Sequence, residues 1–252
     1  MPINYADAGF PVRSEFAESH ERFWQRLQTA GCWYTAEQRV AIAEAVRQAE
    51  SCSLCNARKQ ALSPRSVDGT HDGESILPDT VIEAVHSIVR DASRINRSWY
   101  NDLLERGLTP GQYIEVVGTV VAMVSIDSFA DAIGVTRRAL PPVDSTDSAA
   151  TVISGYKPAT AGVTDQAWVP MVPEINEGTP EADLWPSGKT GNVVRAMSLV
   201  PDEVRSLKDL SAAHYLPMSL VRQAGVDAGR ALHRSQMELV AGRVSALNAC
   251  YY

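Results

Sequence analysis

Clustered basic residues, abundant cysteine and long apolar runs are all in short supply in this 252-residue chain. No stretch reads as the roughly 20 apolar residues that a bilayer-spanning helix needs. The N-terminus, MPINYADAGF, lacks the charged-then-apolar layout of a secretory signal. The expected compartment is the cytoplasm, with no membrane partner. Twenty-three basic side chains face thirty acidic ones, for a net charge of −7. Without a basic tract to follow a phosphate backbone, nucleic acid is not an expected partner. Neither G-x-G-x-x-G nor C-x-x-C-H occurs, so no nucleotide or haem signature is present and no cofactor is expected. What is present is an ordinary globular balance, 45% hydrophobic and 21% charged, which excludes wholesale disorder.

The cysteines are Cys32, Cys52, Cys55 and Cys250. In a reducing compartment they read as thiols rather than a disulfide framework. Cys52 and Cys55 form a lone C-x-x-C. A short-spaced zinc site needs a second pair of ligands, and no other C-x-x-C and no H-x-x-x-H exists, so no metal is expected. Cys32, beside Trp33 and Tyr34, reads as a small buried hydrophobe.

Helical periodicity runs through most of the chain. Phe16, Phe23, Trp24 and Leu27 recur at helical spacing between Glu15 and Thr29. Thr35 with Gln38 has the form of a capping box before Val40, Ala43, Val46 and Ala49. Helix continues past the C-x-x-C until Ser63-Pro64 stops it. Three more helices are expected: PDTVIEAVHSIVRDA, then SRINRSWYNDLLERG with Gly107 as C-cap, then an apolar segment from Thr109 to Gly134. Glu115 and Asp127 bracket that last helix and read as its solvent-facing ends. Residues 139–190 are punctured by proline and read as an arm packed on the helices, with a short strand at AWVPMV. Helix resumes in PDEVRSLKDLSAAHYL and in one long segment from Met218 to Leu247, where Met237, Val240, Val244 and Leu247 form a core stripe. The chain is expected to be all-α.

The last segment carries the sharpest chemical pattern. In an unbroken helix, Glu238 and Cys250 would lie about 18 Å apart along the axis. A break at Asn248 would turn the chain and put Cys250 at the start of a following helix, where amide groups and the dipole favour a thiolate. Glu238 would then accept its proton. The segment E-L-V-A-G-R-V-S-A-L-N-A-C-Y-Y resembles the active-site segment of the carboxymuconolactone decarboxylase and alkyl hydroperoxidase D superfamily. That family's peroxidase pattern is E, eleven residues, C-x-x-C, three residues, H. Glu238 and Cys250 match its first two elements; its second cysteine position would fall just after Tyr252. Truncation, degeneration and a selenocysteine codon read as a stop are the expected explanations.

Cys52 and Cys55 resemble a second, diverged copy of the motif, with Val40 in the place of the glutamate and Lys59 in the place of the histidine. Arg58 and Lys59 would lower the pKa of a nearby thiol. His71, beside Asp72 in a Gly-rich loop, is a further accessory candidate. His86, His214 and His233 read as structural, and Trp99 and Tyr100 as core aromatics.

The resemblance implies an all-α helical bundle of two pseudo-repeats: residues 15–138, a Pro-rich arm over 139–190, and residues 191–252. It implies thiol- or selenol-dependent reduction of a small peroxide, a dithiol reductant as partner, and a homo-oligomer. The candidate catalytic residues are Glu238, Cys250, Cys52 and Cys55, with His71 and Lys59 accessory. Two other readings stay open: a cofactor-free decarboxylase or hydrolase of a small organic acid, and a non-catalytic oligomeric pseudoenzyme.

Overall fold

The computed structural model describes residues 3–248 and 250, apart from 187, 189, 222, 224 and 228. Its first helix, α1 (Ser14–Leu27), buries Phe23, Trp24 and Leu27. Helix α2 (Ala36–Gln48) opens on the expected capping box, with both the Thr35 and Gln38 bonds formed. The short α3 (Ser53–Gln60) follows directly, with Cys52 as its N-cap. Helices α4 (Asp79–Asp91) and α5 (Arg97–Glu105) come next. Gly107, at φ +100°, ends α5 in the left-handed conformation that costs glycine least. The Leu108 N–H then donates to the Leu103 carbonyl at 3.0 Å.

Helix α6 (Pro110–Ala132) is the axis of the molecule. It starts at a second capping box, Thr109 with Gln112, and has proline in its first turn, where no N–H is needed. It packs against α2 and α4 on one side and α9 on another. This position corrects two expectations. The segment is long and apolar enough to cross a membrane by length and composition, with mean hydropathy 1.5 over its most apolar window. Most of that window is nevertheless buried inside the chain, and a helix covered on several sides is apolar on several sides. Glu115 and Asp127 are not solvent-facing ends; both are buried. Each meets a cation from α2: Arg47 grips Asp127 through two 2.8 Å bonds, and Arg39 lies 3.6 Å from Glu115.

The arm does pack on the helices. It contains the one-turn α7 (Ser148–Thr151) and a 3₁₀ turn at Ala182–Leu184. Val169, Val172, Leu184 and Trp185 join the same core as Phe23, Ile42, Ile126 and Leu210. The strand expected at AWVPMV reduces to an isolated bridge between Gly162 and Met171. No longer strand occurs among the described residues.

Helices α8 (Asn192–Arg195) and α9 (Pro201–His214) lead to a second difference. The long helix expected from Met218 is two: α10 (Met218–Val221) and α11 (Arg234–Leu247). Gly225 and Gly229 lie between them at φ +80° and +63°, which a helix cannot accommodate. The stripe on α11 is not core either, since Val240, Val244 and Leu247 are all at least half exposed.

Candidate functional site

Cys52 and Cys55 come together at the start of α3, because one turn of helix places an N-cap and its third residue on the same side. Both are buried, in a small cluster with Leu54. The loop from Val67 to Pro78 then crosses over them. Asp72 pins that loop by accepting from both the backbone N–H of Ser53 at 2.7 Å and its hydroxyl at 2.8 Å, which anchors a carboxylate at a helix N-terminus. Gly73, at φ +98°, lets the chain turn away after the anchor.

Pinning Asp72 sets His71 over the sulfurs. Its Nδ1 lies 3.5 Å from Cys52 Sγ and 3.5 Å from Cys55 Sγ. Its Nε2 lies 3.0 Å from Glu83 Oε2. Helix α4 supplies Glu83 and, one turn on, His86, whose Nδ1 lies 3.4 Å from Cys55 Sγ. Glu83 is held by Arg58 at 2.7 Å, Arg65 at 2.6 Å, the Ser87 hydroxyl at 2.8 Å and the Trp99 indole N–H at 3.2 Å. A cleft of about 260 Å³ opens beside His71 and Glu83, lined also by Gly69 and Gly73.

These contacts separate the two thiols electrostatically. Burial opposes ionisation of Cys52, but the amide groups of Asp72 and Cys55, with His71, outweigh it and lower its pKa. Cys55 is pushed up to about 12 by burial and by hydrogen bonding to the Cys52 sulfur. Burial lowers His86 to about 4. For His71 burial acts the same way, yet its bonds to Glu83 and Cys52 prevail and raise it. Glu83 is driven well below the ordinary carboxylate range, because its bonds to His71, Arg58 and Ser87 overcome burial.

The structure thus brings together Cys52, Cys55 and His71 from the residues singled out in the sequence. Lys59 is exposed on α3 and makes no bond to the cluster among those described. Glu238 is exposed and paired with Tyr215 and Arg234. Helix α11 runs unbroken past it to Leu247, and the Cys250 N–H donates to the Ser245 carbonyl at 3.0 Å. That bond keeps Cys250 beyond the C-terminal end of α11, roughly three turns from Glu238, so the two are not brought together. A helix C-terminus is also the negative end of the dipole, which does not favour a thiolate. Glu83 was not singled out, and His86, read as structural, instead stands at the Cys55 sulfur. Their i, i+3 spacing on an amphipathic helix was the available signal, because it puts both on one face.

Comparison with protein-family models, with curated proteins and with solved structures finds no match to this chain in any of the three.

Proposed function

We propose that this chain is a thiol-dependent peroxide reductase of the alkyl hydroperoxidase D type, working through Cys52 and Cys55. The observation that carries this reading is His71, which touches both sulfurs with one ring nitrogen and a buried carboxylate with the other. A carboxylate that orients and charges an imidazole beside a thiol makes a proton relay.

In this scheme the Cys52 thiolate attacks the terminal oxygen of a hydroperoxide, whose O–O bond breaks. Sulfur becomes a sulfenic acid, and the departing alkoxide takes a proton from His71 and leaves as alcohol. Cys55 then passes its proton to His71 and attacks the Cys52 sulfur. The expelled hydroxide recovers that proton and leaves as water, and a Cys52–Cys55 disulfide remains. An external dithiol reduces the disulfide and restores both thiols. The order departs from the one the resemblance implies, where the second position of the motif attacks, because here Cys52 has the lowered pKa.

The pseudo-repeat reading of the family type has support of its own. With Cys52 set on Cys250, the capping box Thr35–Gln38 falls on a second one, His233–Gln236, and α2 falls on α11. In this reading the exposed stripe of α11 supports a homo-oligomer that covers it.

The test is peroxide consumption by the reduced, metal-free chain with hydrogen peroxide or cumene hydroperoxide and an excess of dithiol. Turnover that is lost in Cys52→Ser and Cys55→Ser is expected. Consumption no faster than in those variants, with every dithiol tried, would overturn the reading.

A further inference from the structure

Cys52 Sγ, Cys55 Sγ, His71 Nδ1 and His86 Nδ1 lie within 4.8 Å of one another. Around a tetrahedral zinc ion, with Zn–S near 2.3 Å and Zn–N near 2.0–2.1 Å, the edge between a sulfur and a nitrogen ligand is about 3.5 Å. The recorded sulfur–nitrogen distances are 3.5, 3.5 and 3.4 Å. We propose that the reduced chain binds one zinc ion in a Cys₂His₂ site formed by Cys52, Cys55, His71 and His86.

Four further features fit that ion. Two thiolates cancel its charge, so the buried site is neutral; binding releases one proton for each thiol not already ionised. His71 would coordinate through Nδ1 while its Nε2 keeps the bond to Glu83, the carboxylate–histidine–metal arrangement that fixes a ligand's tautomer. Mixed sulfur and nitrogen donors in tetrahedral array select zinc over magnesium or calcium, which prefer oxygen. The ligands also come from three separate stretches, the start of α3, the loop after it and α4, so the ion would tie them together. The short-spaced second pair that the sequence lacks is replaced by two histidines fifteen residues apart, brought together by the loop and α4.

The inference needs only reduced ligands and does not rest on the peroxide reading. Its test is titration of the reduced, metal-free full chain with Co²⁺ and then Zn²⁺ in the absence of oxygen. The expected result is one equivalent of Co²⁺ giving the intense visible bands of tetrahedral cobalt and a sulfur charge-transfer band, all lost when one equivalent of Zn²⁺ is added. His86→Ala should weaken Co²⁺ binding at least tenfold, and Cys52→Ser should remove about half the charge-transfer intensity. Absence of a tetrahedral spectrum in the folded wild-type chain would overturn the site whatever the variants do. So would a spectrum unchanged in a folded His86→Ala. Metal binding without turnover by the metal-free chain would defeat the peroxide reading alone, and turnover without metal binding would defeat only the zinc site.

Discussion

His71 and Glu83 are joined by a 3.0 Å contact between Nε2 and Oε2, and this bond turns the opposite ring nitrogen toward two buried sulfurs. The geometry makes Glu83 a positioning residue, since it reaches the thiols only through His71.

Replacing Glu83 with glutamine keeps its size and removes its charge. Peroxide consumption by the metal-free chain should then fall by about a hundredfold, the scale of a lost proton relay. Arg58 and Arg65 would also lose their anion, at a cost of about 3 kcal/mol in stability. Glu83→Asp should recover part of the rate. Steady-state peroxide assays, run where circular dichroism shows each variant folded, separate the two effects.

The four cysteines differ in reach. Cys250 is exposed, whereas Cys32, Cys52 and Cys55 are buried. A bulky aromatic disulfide reagent should therefore label Cys250 rapidly and the other three only slowly, although a peroxide is small enough to react with Cys52. Mass spectrometry of the labelled native chain checks this. A fast phase that survives Cys250→Ser would contradict it.

A second histidine pair, His20 buried and His214 half-buried, sets an acid limit. His20 Nε2 lies 2.6 Å from His214 Nε2, with Tyr5 on the other His20 nitrogen and Phe16 and Phe129 packed around them. Burial, then the neighbouring His214, lowers His20 to about 3 from an ordinary 6.5, and burial lowers His214 too. Below 6.5 the unfolded chain takes up protons that the folded chain refuses, so this pair's share of stability is present above 6.5 and is lost as pH falls toward 3. Glu115, pushed up to about 7 chiefly by burial, runs the other way between 4.5 and 7. The comparison is therefore between variants: His20→Phe should lose less stability than wild type between pH 7 and 5 in urea denaturation.

Asp127 and Asp102 test the weight of burial on an ion pair. The Arg47–Asp127 pair is gripped twice and its carboxylate is 5% exposed, whereas Arg106–Asp102 is a surface pair with its carboxylate 56% exposed. Asp127→Ala should cost about 3–5 kcal/mol, because it leaves Arg47 without its anion. Asp102→Ala should cost less than about 0.5 kcal/mol. Urea midpoints at constant m-value give both.

Local chemistry was legible in the residues alone. The Thr35–Gln38 box, the Gly107 stop and the register of α1, α2, α4, α5 and α6 all follow from short-range hydrogen bonding and 3.6-residue periodicity, which need no knowledge of what lies opposite. The same is true of a dithiol at a helix start, since four consecutive residues bring Cys52 and Cys55 together. Contacts between segments were not legible. Glu115 and Asp127 read as surface charges because their partners Arg39 and Arg47 sit on another helix. The pairing of Glu238 with Cys250 rested on a chain reversal, and the bond from Cys250 to Ser245 leaves the cysteine at the far end of its helix. His71 and His86 could be placed at the sulfurs only by the Asp72 anchor and the packing of α3 on α4. Periodicity tells a residue which face it occupies; only packing decides what stands across from that face.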